Sequence, residues 1–238
     1  MLDREIVEIL NRSLVHGWVM EPEAKRLFSL AGLPVPRFSW ARDLDQALTD
    51  AAAIGYPVAA KVVSPAIIHK SEVGGVAAGI RDAAELTAFY RRVATVADFA
   101  GILVEEMANG HELIVGATID HQFGPVVLLG IGGTAVEVYG DVAIRMAPLA
   151  ADDVLSMLSE LKGGRLLTGY RGGTPVDRDK LLACVLAFSS LMGEIAPYIE
   201  SVDVNPLFCS ATGCVVADAR IMLNRKLQPG AAAGSTED

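Results

Sequence analysis

The spacing of apolar residues in the first hundred positions predicts a mixture of helices and strands. Ala24, Leu27, Phe28 and Ala31 recur at the spacing of one helical face, after the acidic helix start Glu-Pro-Glu at 21–23. A run of apolar residues with one lysine, PVAAKVV, is typical of a buried strand instead. By these criteria the predicted helices cover 3–15, 21–32, 43–54 and 83–97, and the predicted strands cover 57–63 and 75–80.

The remaining sequence is richer in strands. Short apolar runs separated by polar turns predict strands at 101–107, 112–120 and 125–131, with further strand at 136–146. Helices are predicted near 151–160 and 177–195, followed by strands at 200–208 and 214–221. Because helices and strands mix without a strict βαβ alternation, we expect an α+β architecture in two halves that meet near residue 100. The predicted segments are an N-terminal helix at 1–20, subdomains at 21–102 and 103–224, and a flexible tail at 225–238.

Composition and charge narrow the class of protein. The chain has 238 residues, of which 52% are apolar and 21% charged, as in an ordered globular protein. A net charge of −9 argues against a nucleic-acid partner, which requires clustered Lys and Arg. The longest uncharged run, roughly 123–136, is shorter than the 18–20 residues that a bilayer requires, so no membrane association is expected. The N-terminus does not resemble a secretory signal, and the three cysteines match no zinc or disulfide pattern, so we expect a cytoplasmic protein.

The segment SPAIIHKSEVGGV at 64–76 carries the first candidate chemistry. Ser-Pro favours an extended or turn conformation, which places His69, Lys70 and Ser71 on a loop ahead of Gly74 and Gly75. Together with a lysine in the preceding strand, these residues supply cationic, hydroxyl and backbone donors suited to phosphate. The spacing is not that of a Walker A loop.

Lys61 lies in the middle of that preceding strand, and two interpretations of it remain open. A buried lysine is costly unless an anion meets it, which favours a phosphate ligand. Alternatively, the strand lies at a sheet edge and the lysine points to water.

The segment GIGGTA at 130–135 matches the dinucleotide fingerprint G-x-G-x-x-A. A Rossmann site would need a helix of ten or more residues next, whereas TAVEVYGD is β-branched and ends at a glycine. We therefore expect these glycines to line a turn beside a ligand or to allow a tight packing contact. An NAD-binding oxidoreductase remains a rival hypothesis.

The segment VEEMANGHEL at 104–113 places carboxylates where two strands meet a turn. Glu105 and Glu106 close one strand, and Glu112 opens the next. One interpretation is that the strand end hydrogen-bonds an adenine edge while Glu112 contacts ribose hydroxyls. The other is that these are ordinary surface carboxylates.

Two short strands near the C-terminal end, with DVNP at 203–206 and ADAR at 217–220, flank the sequence CSATGC. A four-residue turn at 210–213 would fix their register, and period-2 alternation would then place the polar residues on one face. A register slip of one residue would break this arrangement. The predicted opposed pairs are Cys209 with Cys214, Asn205 with Asp218, and Asp203 with Arg220.

The pair Asn205 and Asp218 predicts a magnesium site. An amide oxygen beside a carboxylate oxygen is a hard-oxygen pair suited to Mg²⁺, which bridges to substrate phosphates. The alternative is an Asp203–Arg220 surface pair with an Asx turn. With phosphate donors early in the chain and a magnesium pair late, the economical hypothesis is a nucleotide clasped in a cleft between the two halves.

Several motifs in order resemble one known family. The segments GYPVAAKVVSPAIIHKSEVGGV, ILVEEMANGHELIVGATIDHQFGPVVLLGIGGTAVEV, RMAPL, YRGG and DVNPL…VVADAR are similar to the ATP-grasp β subunit of ADP-forming acyl-CoA (acetyl-CoA) synthetases. That family is related to the β subunit of succinyl-CoA synthetase. The resemblance covers about 21–223 and implies an ATP-grasp fold, in which two α/β subdomains clasp a nucleotide.

The resemblance also implies roles for individual residues. His69, in the S-P-x-x-x-H-K-S pattern, would carry the phosphoryl group, assisted by Lys70. Arg145, in R-x-A-P-L, would be a further catalytic phosphate partner. The implied ATP or ADP contacts are Lys61, Ser71, Gly74, Gly75, Glu105, Met107 and Glu112, and Asn205 and Asp218 would hold Mg²⁺. Ala66 and Glu72 stand where acidic aspartates are expected, and Ala66 loses the charge.

The implied reaction is acyl-CoA + ADP + phosphate ⇌ carboxylate + ATP + CoA. No segment resembles a CoA-binding domain, so the resemblance implies a CoA-binding α subunit, with α2β2 the expected assembly, or an α-like domain encoded elsewhere or removed. A rival from another class is a regulatory ATP-grasp module, of the kind associated with protein acetyltransferases. The acid, and ATP as opposed to GTP, are left open by the sequence.

Overall fold

The computed structural model describes residues 2–133 and 140–227, and these fall into two compact units. The larger unit comprises Met1–Val19, Glu23–Val35 and Asn109–Asp238, and the smaller comprises Met20–Pro22 and Pro36–Ala108. The predicted segments divide the chain differently, because most of the second helix belongs to the larger unit and the strand at 102–106 pairs within the smaller one.

The helices and strands follow the predicted order, but strands at Trp18–Val19 and Phe38–Ala41 were not predicted, and the strand predicted at 214–221 is divided into two. The helices are α1 (Arg4–Ser13), α2 (Glu21–Leu30), α3 (Leu44–Ile54), α4 (Ala83–Val93), α5 (Ala151–Glu160) and α6 (Arg178–Ile195). The strands are β1 (Trp18–Val19), β2 (Phe38–Ala41), β3 (Val58–Val62), β4 (Val76–Ile80), β5 (Ile102–Glu106), β6 (His111–Asp120), β7 (Gly124–Ile131), β8 (Val142–Met146), β9 (Ile199–Ser210), β10 (Gly213–Val216) and β11 (Ala219–Leu223). Short 3-10 turns cover Lys70–Val73, Lys162–Thr168, Tyr170–Gly172, Ala196–Tyr198 and Arg225–Leu227.

Four helices begin at an aspartate that caps them. Asp3, Asp43, Asp82 and Asp177 each accept a hydrogen bond from a backbone amide of the first turn, which would otherwise have no partner in the helix. The cap predicted at Asp82 is therefore confirmed.

The larger unit is built on a seven-stranded sheet in the order β1-β11-β9-β6-β7-β8, with β10 paired to β9. The buried residues of β9 recur every two or three positions and belong to the core of this unit; they are Ile199, Val202, Val204, Leu207 and Cys209. That core is shared with α1, α2, α5 and α6, and Phe28 of α2 meets Phe188 of α6 at its centre, with a ring-centroid distance of 6.4 Å.

The smaller unit has a four-stranded sheet in the order β2-β5-β3-β4. One face of this sheet packs against α3 and α4, with Val58, Ala60 and Val104 among its core residues. The opposite face carries Lys61 and Glu105, which are also buried. The sheet therefore encloses charge on one side and hydrocarbon on the other.

All strand pairings among the described residues are antiparallel. The strand before GIGGTA, β7, lies between β6 and β8 in this arrangement, so it is not the parallel strand of a Rossmann unit. Residues 134–139, which include the end of that motif and the start of the strand predicted at 136–146, lie outside the described residues, as does the tail from 228 onward.

The helix α6 and the turn after it, Arg178–Tyr198, are long and apolar enough to cross a membrane, with a mean hydropathy of 1.6. Its buried residues belong to the core of the larger unit, including Leu181, Val185 and Met192. The helix is therefore a core helix of the larger unit.

The Phe28–Phe188 contact generates a stability prediction. Phe188→Ala should lower the free energy of unfolding by about 3–5 kcal/mol, because it removes a ring that is 1% exposed and leaves a cavity. Urea denaturation followed by circular dichroism measures this change. The matched control is Phe123→Ala, at a ring that is 62% exposed, which should change the free energy by less than about 0.5 kcal/mol. Equal losses in the two variants would contradict this assignment of the core.

Candidate functional site

The loop at 64–76 places an imidazole in solvent directly beside a largely buried lysine. His69 is exposed and precedes a 3-10 turn, Lys70–Val73, whose first residue is that lysine. Within the described residues, the His69 ring makes no hydrogen bond or ion pair. The Lys70 side chain is only 10% exposed, since its ammonium is drawn inward.

Lys70 is drawn inward by Glu21, at the start of α2. The Glu21 carboxylate is 3% exposed, and Oε2 lies 2.9 Å from Lys70 Nζ. Its other oxygen, Oε1, lies 2.7 Å from Lys61 Nζ. Lys61 Nζ in turn lies 2.9 Å from Glu105 Oε1 on the neighbouring strand. Two lysines and two glutamates thus form a connected chain of buried ion pairs within the smaller unit, which we call the Lys70–Glu21–Lys61–Glu105 network.

This network answers the question that the sequence left open at Lys61. The lysine lies on β3, between β5 and β4, so the alternative interpretation, an edge strand with its lysine in water, is wrong. The anions beside it in this structure are two carboxylates. Because the ammonium is already desolvated and paired, a phosphate that reached it would compete with Glu21 or Glu105.

The two glycines of the loop serve its local geometry. Gly74 has a φ of +63°, which favours glycine, and its amide donates to carbonyls of the turn. The amide of Gly75 donates to the Lys70 carbonyl at 2.8 Å, and a side chain at Gly75 would collide with Val62. In this structure both amides are used within the loop, whereas the hydroxyl-bearing Ser71 is exposed.

The two glutamates at the end of β5 have different partners. Glu105 faces Lys61, whereas the Glu106 carboxylate accepts hydrogen bonds from the Arg37 amide at 3.0 Å and from its guanidinium at 2.7 Å. Burial acts to raise the pKa of Glu106, but the hydrogen bonds from Arg37 outweigh it and the pKa is lowered. Met107 follows, 39% exposed, and its sulfur accepts from the Gly79 amide. The Glu105 side chain is therefore committed to an ion pair, and the exposed group at this strand end is Met107.

In the larger unit, Glu112 lies beside the glycines of GIGG. Its carbonyl accepts from the Gly132 amide at 2.7 Å, and a Cβ at Gly133 would lie 3.2 Å from its carboxylate. These residues line a cavity of about 310 Å³ that extends to Leu167. The prediction that the glycines line a turn with close packing agrees with this arrangement, and the exposed Glu112 carboxylate opens on the cavity.

The hairpin register agrees with the expectation. Gly213 pairs with Ser210, so residues 210–213 form the predicted four-residue turn, with two residues in its loop. Pairing outward from this turn retains the predicted register, because each residue added to one strand is matched on the other. The observed pairs include Cys209 with Cys214 and Arg220 with Asp203.

Asn205 and Asp218 lie in a break between these paired stretches. The register is the same on both sides of them, from Leu207–Val216 to Val204–Ala219, so the two are brought to the same level of the hairpin. Asn205 is exposed, and one Asp218 oxygen accepts from the Ala219 amide at 2.8 Å. An exposed amide and a partly exposed carboxylate at one level fit the hard-oxygen donors that Mg²⁺ prefers.

Asp203, two residues before Asn205, has an unusual environment. Burial raises the pKa of Asp203, and Arg220, 3.5 Å away, acts in the opposite direction. The salt bridge that was the alternative interpretation therefore exists, but at a long distance. A cation bound nearby would favour the ionised form of Asp203.

Arg145 on β8 is engaged with α5. Its guanidinium makes an ion pair with Glu160 and donates to Ser156 at 3.1 Å. The hydrogen bond from Arg145 is the main cause of a lowered pKa at Glu160. In this structure the predicted phosphate partner is thus paired with a carboxylate.

A larger cavity, of about 760 Å³, lies in the same unit between α5, the following 3-10 turn and the start of α6. Its lining includes Leu158, Arg165 and Arg178 but none of the predicted site residues. Cavity size alone therefore does not identify the site suggested by the sequence.

Glu21 is the site component that sequence reasoning missed. Its position, just before a proline in the first turn of a helix, was sufficiently explained by the helix dipole. Its burial and its ion pair to a residue 40 positions away appear only in the folded chain.

Comparison with known proteins identifies the family. A family model described as an ATP-grasp domain matches residues 12–223. The subunit beta of ADP-forming acetate–CoA ligase I from Pyrococcus furiosus is 39% identical over 231 residues, which cover 92% of this chain and 97% of that subunit. ADP-forming acetate–CoA ligase I from Archaeoglobus fulgidus is 37% identical over 230 residues, which cover 94% of this chain but 33% of that longer protein.

A solved structure of a related enzyme shows bound ligands and the orientation of its phosphohistidine segment. Acetyl-coenzyme A synthetase 1 of Candidatus Korarchaeum cryptofilum, with coenzyme A and Mg-AMPPCP, has its phosphohistidine segment pointing towards the nucleotide-binding site. It is 36% identical to this chain with a TM-score of 0.80, and the match covers 92% of this chain and 100% of the chain in that structure. By sequence and by fold, this chain belongs to the ATP-grasp family of β subunits of ADP-forming acyl-CoA synthetases.

Proposed function

We propose that this chain is the nucleotide-binding subunit of an enzyme that converts acyl-CoA, ADP and phosphate into carboxylate, ATP and CoA, and that His69 carries the phosphoryl group. The family membership supports the reaction class. The observation that carries the residue assignment is the exposed His69 imidazole beside Lys70, whose ammonium is buried in an ion-pair network.

His69 has the properties that phosphoryl transfer requires of a nucleophile. The neutral form of an imidazole has an unprotonated ring nitrogen, which can attack phosphorus. A nitrogen–phosphorus bond forms while the bond from the terminal phosphorus of ATP to the bridging oxygen breaks, and ADP leaves. In the direction of ATP synthesis the same steps run in reverse.

Charge that develops on the transferred phosphoryl oxygens requires nearby cations. Lys70 is next to His69, Lys61 is connected to Lys70 through Glu21, and Ser71 is exposed on the same loop. We assign these groups to the phosphates, with Gly74 and Gly75 shaping the loop. Their fixed positions would stabilise the transition state without reorganisation.

Asn205 and Asp218 are the residues that would hold magnesium, because they bring two oxygen donors to one level of the hairpin. Bound magnesium would neutralise part of the negative charge of the phosphates. We assign the backbone after Glu105, up to Met107, to the adenine edge and Glu112 to the ribose. Arg145 would reach phosphate only after release from Glu160.

The chain acts with a CoA-binding α subunit. The relative from Archaeoglobus fulgidus, in which this domain covers 33% of a longer protein, supports a division of the activity over further domains. We propose an α2β2 assembly in the cytoplasm, and the three buried free cysteines agree with a reducing compartment.

The phosphohistidine generates the first prediction here. With the α partner present, γ-³²P-ATP should label the wild-type chain with acid-labile, alkali-stable phosphate, and His69→Ala should abolish the label, because no other ring nitrogen replaces the nucleophile. Scintillation counting after gel separation measures the labelling.

The matched control is His121→Ala, at an exposed histidine in the β6–β7 turn, which should label like wild type. If the wild-type complex never labels, the chain is not the phosphoryl carrier, and a regulatory nucleotide-binding role becomes the better explanation.

The magnesium pair generates the second prediction. Asn205→Ala combined with Asp218→Ala should weaken ATP binding by at least about tenfold in the presence of magnesium, because two metal ligands are lost, and should leave metal-free ATP binding nearly unchanged. Isothermal titration calorimetry with Mg-ATP, and with ATP in EDTA, measures both affinities.

Asp152→Ala, which removes one exposed carboxylate of α5, controls for the change in net charge. An equal loss of affinity with and without magnesium in the double variant would refute the metal assignment.

A further inference from the structure

We infer that Glu21 is a positioning residue for phosphoryl transfer, and that its carboxylate ties the His69 loop to the central strand of the smaller unit through Lys70 and Lys61. The inference rests on the proposed function, because it concerns how His69 is held for that reaction. Nothing in the pattern of the sequence assigns this role to a glutamate at a helix start.

The geometry of Glu21 is that of a bridge. Each of its two oxygens meets a different ammonium, Lys61 at 2.7 Å and Lys70 at 2.9 Å. These three side chains are between 3% and 10% exposed, so water screens the ion pairs little. Lys61 lies on β3, in the interior of the four-stranded sheet, and is held there a second time by Glu105.

The bridge acts on His69 through the backbone. Lys70 is the first residue of the 3-10 turn and His69 precedes it directly. His69 itself lies just outside the turn, with φ −98° and ψ 79°, and a single peptide bond joins it to Lys70. Anchoring the Lys70 side chain inward therefore favours a loop orientation in which the His69 ring faces outward, as observed.

A carboxylate is required for this bridge, since an amide of the same shape carries no charge to balance two buried ammonium groups. Replacing Glu21 with Gln would leave Lys61 and Lys70 with less counter-charge, and a buried cation without compensation is costly. Lys70 has a flexible stem and could then turn to solvent, which would release the His69 loop from the sheet.

The test separates the rate of transfer from nucleotide affinity, in the complex with the α partner. With Glu21→Gln, the single-turnover rate of His69 phosphorylation at saturating Mg-ATP should fall by at least about tenfold, because the imidazole is no longer pre-oriented. The Kd for Mg-ATP should weaken by no more than about threefold, because Glu21 itself contacts no nucleotide in this proposal. Quenched-flow labelling and calorimetry measure the two quantities.

Glu23→Gln is the matched control. Glu23 lies two residues further along α2 and pairs with Arg12 at 2.6 Å, within the larger unit. Its loss removes an ion pair from the same helix turn without touching Lys61 or Lys70, so the phosphorylation rate should remain that of wild type.

A double-mutant cycle with Lys70→Gln tests the route of the effect. If Glu21 acts through Lys70, the two losses in rate should combine to less than their product. If Glu21→Gln does not yield folded protein by thermal unfolding, Glu21→Asp replaces it. The aspartate keeps the charge one methylene further away, and a smaller fall in the saturating rate is expected.

The inference is overturned if the Glu21 variant phosphorylates His69 at the wild-type rate, if its loss lies wholly in Mg-ATP affinity, or if the double-variant losses multiply. Failure of the proposed function looks different. In that case the wild-type complex itself carries no label on His69, whatever the state of Glu21.

Discussion

The charge buried on one face of the four-stranded sheet is the constraint on which the candidate site depends. A lysine in the middle of a strand that is covered on both sides must have an anion beside it, because an isolated buried ammonium is far too costly. In this protein the anions are Glu21 and Glu105. The same requirement draws Lys70 to Glu21 and leaves His69 at the surface.

Much of the fold could be predicted because its patterns are local. Aspartate caps, apolar stripes at helical spacing and alternating strands depend on neighbours within a few positions, and these elements were found at the predicted places. The register of β9 with β10 and β11 was also predictable, since the turn at 210–213 fixes which residues lie opposite each other. The division into units was less accessible, because it depends on which strands pair. Strand β5 pairs with β2 and β3, whose residues lie between 40 and 67 positions away in the sequence.

The candidate site, too, could be predicted only where it depends on residues close together in the sequence. The residue types around His69, and the position of Asn205 opposite Asp218, could be predicted from the sequence, because each depends on one short segment. The ion-pair partners of the charged side chains could not be predicted. Glu105 was expected at an adenine edge and Arg145 at a phosphate, yet in this structure each pairs with an oppositely charged side chain from elsewhere in the chain. Such pairs join positions far apart in sequence, and a single sequence carries no local signal for them.

The ion-pair network and the proposed phosphate site are compatible for an energetic reason. A large part of the cost of placing a lysine beside a phosphate is removal of its water, and folding has already removed that water from Lys61 and largely from Lys70. A phosphate that approached the two ammonium groups would not have to desolvate them a second time. Cations that are fixed in advance by carboxylates also need little reorganisation when charge develops on a transferred phosphoryl group. The network that makes these lysines tolerable in the core is therefore also what would prepare them for phosphate.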